Sequence, residues 1–309
     1  MSVLVLVEPG EELSLQAVSL ARDLGGPVHG FSTADVPGLG AYGLETLHVA
    51  DDERLAAYAP AAWAACLEQL IDQLQPSAVV AAGTNRGNEV LSHVAARRDV
   101  PFAANCVAVG SDGGVTRVRW GGSLLEEARI HGDVKLLTVA PHMVEATTVN
   151  GGEAAVERMD VAVDDADLVV RVAGREETPS AGISLEEAKV VVSGGRGVGS
   201  AEGFGMLEEL AGLLNAAVGC SRVVTMAGWR PHTDQVGQTG TKVAPDLYIA
   251  CGISGATQHI AGCKGAKKIL AINNDPEAAI LANADYAVIG DLAEVVPAIT
   301  AELRKAQGS

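Results

Sequence analysis

Short glycine-containing segments in the second half of the chain lie near the ends of apolar runs and carry polar side chains. At the carboxyl edge of a parallel sheet, backbone N–H groups face outward and can bind a pyrophosphate, while side chains are free for chemistry. The pattern therefore predicts one large nucleotide cofactor lying across such an edge. The segments are Ser193–Gly197, Gly219–Arg222, Gln235–Gly240 and Gly252–His259, with Asn273 and Asp291 after later apolar runs.

The side chains in these segments suit different parts of a nucleotide. Arg196 places a permanent cation beside exposed N–H groups, as a pyrophosphate requires, although residues 195–199 match neither a strict GxGxxG fingerprint nor a P-loop. Ser221 could bind a phosphate or serve as a helix N-cap. Arg222 could contact a cofactor or lie on the surface in contact with solvent. The amides and the hydroxyl of the segment 235–240 can hydrogen-bond a heteroaromatic ring. The alternative is that this segment is only a turn in the chain. His259 shares the edge predicted for the other segments.

Cysteine usage and the amino terminus argue against a secreted, metal-binding or membrane protein. The five cysteines form no CxxC pair, and Cys251, His259 and Cys263 have the spacing of no zinc module. We therefore predict reduced thiols, no metal site and a cytoplasmic location. The first apolar run, Val3–Val7, ends at Glu8, so it reads as a buried strand and predicts neither a signal peptide nor a membrane insertion.

The net charge of −17 belongs mainly to the first part of the chain. From residue 187 onward, 12 acidic and 10 basic side chains nearly cancel, whereas the first 186 residues carry 27 acidic and 12 basic ones. Nucleic acid is excluded as a partner because phosphate binding needs clustered lysine and arginine. The acidity serves solubility or orients a basic protein partner, and we favour solubility.

Apolar runs alternate with amphipathic stretches along the whole chain. Continuous apolar runs favour strands that are covered on both faces, and hence a parallel α/β sheet. The predicted strands are Val3–Val7, Ala78–Ala82, Lys135–Val139, Leu168–Val172, Val190–Val192, Leu247–Ile249, Ile269–Ile272 and Ala287–Ile289. The predicted helices are Ser14–Leu24, Ala61–Leu74, Asn88–Arg97, Ala201–Leu214 and Leu292–Lys305.

A length of 309 residues predicts two domains with separate cores. A polar stretch with proline and glycine, from Gly174 to Gly182, separates two predicted strands and indicates a linker. We therefore predict an α/β protein with an N-terminal parallel α/β domain over 1–176, a linker over about 174–186 and a C-terminal domain over 187–309.

About 120 residues at the carboxyl end resemble the FAD domain of the electron transfer flavoprotein alpha subunit. The resemblance rests on segments that occur in the family's order. They are VSGGRG from Val192, AVGCSR from Ala217, QVGQTG from Gln235, APDLYIA from Ala244, GISGATQH from Gly252 and DPEA from Asp275. Looser similarity at Gly83–Gly87 and Trp120–Glu127 extends into the first domain.

Carried over position by position, the resemblance assigns the predicted residues to parts of FAD. Those assigned to the phosphates are Arg196, Ser221 and the Ser254–Gly255 backbone, and those assigned to the adenosine half are Asn273 and Asp291. Those assigned to the flavin and ribityl side are Gln235, Gln238, Thr239, Gln258, His259 and Arg222, and Val236 and Gly237 of the same segment are also predicted to bind the cofactor. Within that set, the resemblance implies that Thr239 bonds flavin N5, that His259 lies at the O2 and N1 edge, and that Arg222 lies over the ring. A fixed charge there should dominate the flavin potential. Asn274, Thr257 and Ala279 depart from the family's usual residues.

The resemblance also implies a function and partners. It implies an adenine-nucleotide-hydrolase-like first domain that contacts a beta subunit, and a heterodimer that carries electrons without catalysing a substrate reaction. Electrons would come from flavoprotein dehydrogenases, such as the acyl-CoA dehydrogenases of fatty acid β-oxidation, and pass to a membrane quinone reductase. Two alternatives stay open: the alpha subunit of a bifurcating NADH-oxidising flavoprotein, and a non-redox adenine-nucleotide-binding protein.

Overall fold

The computed structural model divides the chain into two compact units, Met1–Glu176 and Glu177–Ser309. It describes residues 2–122, 124–174 and 183–307. Most of the linker predicted over 174–186 lies outside these ranges, so its role stays a prediction. Among the described residues, none of the helices combines the length and the apolar character that a bilayer-spanning segment needs.

The described part of the first unit contains a nine-stranded sheet and three α-helices, with helix packing on both faces of the sheet. Its parallel part runs in the order β5-β8-β4-β1-β2-β3-β9, and β6 and β7 continue it from β5 as an antiparallel hairpin. The helices are α1 (Leu13–Asp23), α2 (Pro60–Leu74) and α3 (Asn85–Arg98). The strands are β1 (Val3–Leu6), β2 (Val28–Ser32), β3 (Thr46–Ala50), β4 (Ala78–Ala82), β5 (Phe102–Val109), β6 (Gly114–Arg119), β7 (Leu124–Arg129), β8 (Lys135–Val139) and β9 (Ala155–Met159).

The described part of the second unit contains a five-stranded, wholly parallel sheet in the order β11-β10-β12-β13-β14. Its strands are β10 (Val190–Gly194), β11 (Ala217–Cys220), β12 (Leu247–Cys251), β13 (Ile269–Asn273) and β14 (Tyr286–Ile289), and its α-helices are α4 (Gly205–Leu214), α5 (Arg222–Met226), α6 (Thr257–Cys263) and α7 (Leu292–Gln307). Neighbouring residues of one strand belong to different apolar clusters: Val191 packs into one face and Val192 into the other. Burial on both faces explains why these strands are continuous apolar runs.

The α/β fold with parallel-rich sheets in both halves of the chain is confirmed. The strand predicted at Leu168–Val172 is wrong. Residues Asp165–Leu168 form a 3-10 helix, and only Leu168 is buried, whereas Val169 and Val170 are 79% and 66% exposed. An apolar run forms a strand only where a sheet offers it a pairing partner, and this run pairs with no described strand. The helix predicted from Ala201 begins later, since a 3-10 turn over Glu202–Phe204 precedes α4.

Candidate functional site

The carboxyl edge of the second sheet contains a topological switch point. The chain runs from β10 outward to β11, then returns to the other side of β10 to form β12. The loops after β10 and β12 therefore flank one crevice, which is where open α/β sheets bind ligands. Two backbone hydrogen bonds hold these loops together, from Gly195 N to Cys251 O at 2.8 Å and from Gly197 N to Gly252 O at 3.1 Å. Glycine is required for this approach, because a Cβ at position 195 would lie 2.2 Å from the Gly252 oxygen.

Four backbone N–H groups at this switch point have no acceptor within the described chain. Those of Arg196, Ser254, Gly255 and Ala256 donate no hydrogen bond to another described residue. Gly255 is buried, and buried N–H groups in proteins almost always find a partner. The Arg196 side chain is exposed beside them and forms no ion pair within the described ranges. Several unpaired N–H groups next to a guanidinium suit the binding of an anion.

A second part of the site is built from the end of β11, the segment 235–241 and α6. Ser221 N donates to Gly194 O at 3.0 Å, which holds the start of α5 against the end of β10. Val236 N donates to Cys220 O at 2.9 Å, so the segment runs beside the end of β11. Gln238 N donates to Gln258 O at 2.7 Å, which joins the same segment to α6. The structure thus brings the residues predicted for the flavin side to one edge of the sheet.

The predicted site residues fall into an exposed group and a buried group. The exposed or partly exposed ones, which are free to contact a ligand, are Arg196, Ser221, Arg222, Gln238, Thr239, Ser254, Gln258 and Asp291. The buried ones are Gln235, Val236, Gly237, Gly255, His259 and Asn273. Gly237 and Gly255 have no side chain, so only their backbones could contact a ligand. Both have positive φ angles, of 152° and 86°. The Val236 side chain packs in the apolar core, so only its backbone could face a ligand.

Two residues predicted for the adenosine half have internal hydrogen bonds. Asn273 Nδ2 donates to Ile253 O at 2.9 Å and its Oδ1 accepts from Asp275 N at 3.0 Å. Asp291 Oδ1 accepts from Ala293 N at 2.8 Å in the first turn of α7. Asn273 O accepts from Gly290 N, which places the two residues at neighbouring strand ends. Both residues therefore shape this end of the site, and Asp291 keeps its second carboxylate oxygen free of the described chain's hydrogen bonds.

His259 is a buried imidazole held by a tyrosine. Its Nε2 lies 2.9 Å from the hydroxyl of Tyr248 on β12. The Tyr248 hydroxyl is itself fully buried, and the buried Ser193 hydroxyl on the neighbouring strand β10 also lies close enough to affect it. Nδ1 is buried without a hydrogen-bond partner in the described chain. Buried polar atoms in proteins usually have a partner, so the described chain leaves a polar group unsatisfied at this nitrogen.

Burial lowers the pKa of His259 to about 4, against a weak opposing effect of the Val236 backbone that does not reach hydrogen-bond geometry. We therefore expect His259 to stay neutral from pH 5.5 to 8, as measured by the 15N shifts of its imidazole. An unfolded histidine gains its proton near pH 6.5, so stability is lost as the pH falls below that value. Between pH 7 and 5 this linkage lowers the free energy of unfolding by about 2 kcal/mol. The loss should be smaller by that amount in His259→Gln, and a titration midpoint near 6.5 in the folded protein would contradict the prediction.

Two residues that contribute to the site were not predicted from sequence. Tyr248 lies inside an apolar strand, and only the packing of α6 against that strand shows that its hydroxyl meets His259. Thr225 lies on α5 with its hydroxyl 2.9 Å from Gln235 Oε1. No sequence motif around either residue predicts its role, because each acts through a contact with a residue 10 or 11 positions away.

Within the described ranges, no group of three or more histidine, cysteine or acidic side chains is placed to bind a metal ion. Burial raises the pKa of the thiols of Cys251 and Cys263 to about 12, so both remain protonated at neutral pH. A protonated thiol is a poor metal ligand and a poor nucleophile.

Comparison with protein families gives two matches in the order of the two units. The electron transfer flavoprotein domain family matches residues 3–164, and the electron transfer flavoprotein FAD-binding domain family matches residues 184–264. The second match contains the loops after β10 and β12, the segment 235–241 and α6. The residues at the switch point thus lie in a region whose family is defined by FAD binding.

Curated relatives agree over nearly the whole chain. The electron transfer flavoprotein subunit alpha of Mycobacterium tuberculosis (strain H37Rv) is 39% identical, over 99% of this chain and 99% of its own length. The alpha subunit of Bacillus subtilis (strain 168) is 38% identical over 85% of this chain and 82% of its own length. The protein FixB of Clostridium saccharobutylicum is 34% identical over 89% of this chain and 84% of its own length. A solved thiamine diphosphate-dependent decarboxylase from Rhodococcus jostii RHA1 gives a TM-score of 0.27 at 12% identity, covering 98% of this chain and 59% of its own, and supports no inference.

Proposed function

Because this chain belongs to the electron transfer flavoprotein alpha-subunit family, we propose that it is the FAD-carrying half of a heterodimeric electron carrier. FAD is the cofactor of its C-terminal domain. The observation that carries the proposal is the group of unpaired N–H donors at the switch point of the second sheet, next to the exposed Arg196. Electron carriage needs a tightly held cofactor more than a catalytic side chain, and this edge supplies the means to hold one.

The residues present fit FAD. The N–H groups of Arg196, Ser254, Gly255 and Ala256, with the Arg196 guanidinium, would bind the pyrophosphate. His259 would lie at the edge of the flavin ring, and Thr239 and Gln258 are exposed for the flavin and ribityl groups. Asn273 and Asp291 would lie at the adenosine end. When bound, FAD supplies the redox chemistry, and the protein's part is to bind it, orient it and set its potential.

The charged side chains divide that work between binding and tuning. Arg196 stands at the phosphate end, so it contributes mainly to affinity. Arg222, exposed at the first position of α5, would lie over the flavin ring and stabilise the negative charge that develops there on reduction. His259 is neutral near pH 7, so its effect on the potential does not depend on pH near neutrality.

We further propose a cytoplasmic heterodimer in which the first domain contacts a beta subunit. Electrons would enter from flavoprotein dehydrogenases, such as acyl-CoA dehydrogenases, and leave to a membrane quinone reductase. The names of the relatives, which are subunits of electron transfer flavoproteins, support the pairing and the carrier role.

A reduction assay on the purified heterodimer tests this function. We expect an acyl-CoA together with its dehydrogenase to bleach the flavin absorbance, while NADH alone leaves it unchanged. Bleaching by NADH, together with a second FAD per heterodimer, would favour a bifurcating oxidoreductase instead. A heterodimer that lacks flavin absorbance would favour a non-redox adenine-nucleotide-binding protein.

A further inference from the structure

A chain of three side chains connects α5 to the exposed face of the flavin-side segment. The Thr225 hydroxyl lies 2.9 Å from Gln235 Oε1, and Gln235 Nε2 donates to the Thr239 hydroxyl at 3.0 Å. Gln235 is only 3% exposed, whereas Thr239 is exposed. The buried amide therefore transmits the arrangement of Thr225 to a hydroxyl at the surface of the site.

The single proton of Thr225 decides how this chain is oriented. Its hydroxyl is also 2.9 Å from the backbone oxygen of Arg222, so two acceptors compete for that proton. If the proton goes to Gln235 Oε1, the amide nitrogen donates to Thr239, and the Thr239 proton remains available to a ligand. If it goes to Arg222 O, two oxygens face each other until the amide turns over, and Thr239 must then donate to Gln235.

We propose that Thr225 is a positioning residue which, through Gln235, holds Thr239 as a hydrogen-bond donor toward the flavin. The inference rests on the function proposed above and adds a residue to it. The orientation in the structure is the one in which Thr239 keeps its proton for the ligand. A donor at this place stabilises electron density on the ring and so affects the potential, whereas the phosphates, not Thr239, account for the retention of FAD.

Potentiometric titration of the heterodimer carrying Thr225→Val tests the proposal. The valine has the shape of threonine without its hydroxyl, so Gln235 loses the partner that fixes its amide. We expect the equilibrium constant for flavin reduction to fall about two- to tenfold, the range of one net hydrogen bond. FAD content should stay within error, and Thr225→Ser, which keeps the hydroxyl, should restore the wild-type potential.

A double-mutant cycle separates this role from a general structural one. Thr239→Val alone should lower the same equilibrium constant at least as much as Thr225→Val, and Thr225→Val should have no further effect in the Thr239→Val background. Equal effects of Thr225→Val in both backgrounds would overturn the proposal, since Thr225 would then act by another route. Failure of Thr225→Ser to restore the potential would overturn it as well.

The side-chain amide of Gln235 gives a readout that needs no bound flavin. In the 15N–1H spectrum of the heterodimer, we expect its protons to exchange with water faster in Thr225→Val than in the wild type and in Thr225→Ser. If the heterodimer binds no FAD, the proposed function fails while this measurement still reports on the relay. If FAD binds but neither the potential nor the amide exchange responds to Thr225→Val, the relay is wrong and the FAD site stands.

Discussion

Replacing Arg222 with alanine lowers the midpoint potential of the bound FAD in the heterodimer, as measured by reductive titration. The guanidinium is a fixed positive charge that favours electron density on the ring. At about 4 Å its contribution is roughly 4 kcal/mol for an effective dielectric of 20 and roughly 1 kcal/mol in bulk water. At ~2.3 kcal/mol per 100 mV, the expected fall lies between about 40 and 170 mV. Arg222 is exposed in the chain alone, so the upper value requires that the partner subunit exclude water from it.

Two further variants make the Arg222 result specific. Arg304→Ala removes the same charge from α7, where Arg304 pairs with Glu209 at 2.6 Å, and should leave the potential unchanged. Arg222→Lys keeps the charge and should recover part of the loss, although lysine cannot stack its charge on a ring as a guanidinium does. An unchanged potential in Arg222→Ala would remove this residue from the tuning of the flavin.

Replacing Gly255 with alanine should abolish FAD retention. Gly255 has a φ of 86°, which costs an L-residue about 1–2 kcal/mol. The added Cβ would also lie 2.1 Å from Ile280 N, so the loop after β12 must move. That movement displaces the N–H groups of Ser254, Gly255 and Ala256 together. We expect a loss of at least ~2 kcal/mol in the free energy of unfolding, and a heterodimer without the flavin absorbance.

Gly212→Ala provides the matched control for Gly255→Ala. Gly212 lies inside α4, and a Cβ there meets no atom within 4 Å. Alanine in a helix interior is more stable than glycine by about 0.5–1 kcal/mol, so this variant should unfold at a slightly higher temperature and keep its FAD. Retention of stoichiometric FAD by Gly255→Ala would show that the loop after β12 does not hold the phosphates.

Several of the strands that the sequence predicts are buried on both faces. β10, β12 and β13 are continuous apolar runs because helices cover both sides of the second sheet. The pattern misses β7, which is exposed along most of its length, and it also misses β2 and β3, which are mostly buried but contain histidine within the run. The opposite error occurs at Leu168–Val172, where an apolar run stays unpaired. Hydrophobicity indicates that a segment is favoured to be buried, but whether it forms a strand depends on which sheet edge is available for pairing.

The candidate site was largely predictable because it follows the ends of parallel strands. Glycine loops after β10 and β12, with Arg196 in the first, mark that edge in the sequence alone. What the sequence could not show is how side chains from distant segments meet. The hydrogen bonds of Tyr248 with His259 and of Thr225 with Gln235 depend on the tertiary packing of α6 and α5. These contacts change the chemistry: burial beneath α6 keeps His259 neutral, and Thr225 orients the proton of Thr239.

A crystal structure of the heterodimer tests the central claim most directly, because it locates the cofactor atom by atom. The account predicts one FAD on this chain, with its pyrophosphate hydrogen-bonded to the N–H groups of Arg196, Ser254, Gly255 and Ala256. A flavin held elsewhere, with these N–H groups bound only to water, would contradict it.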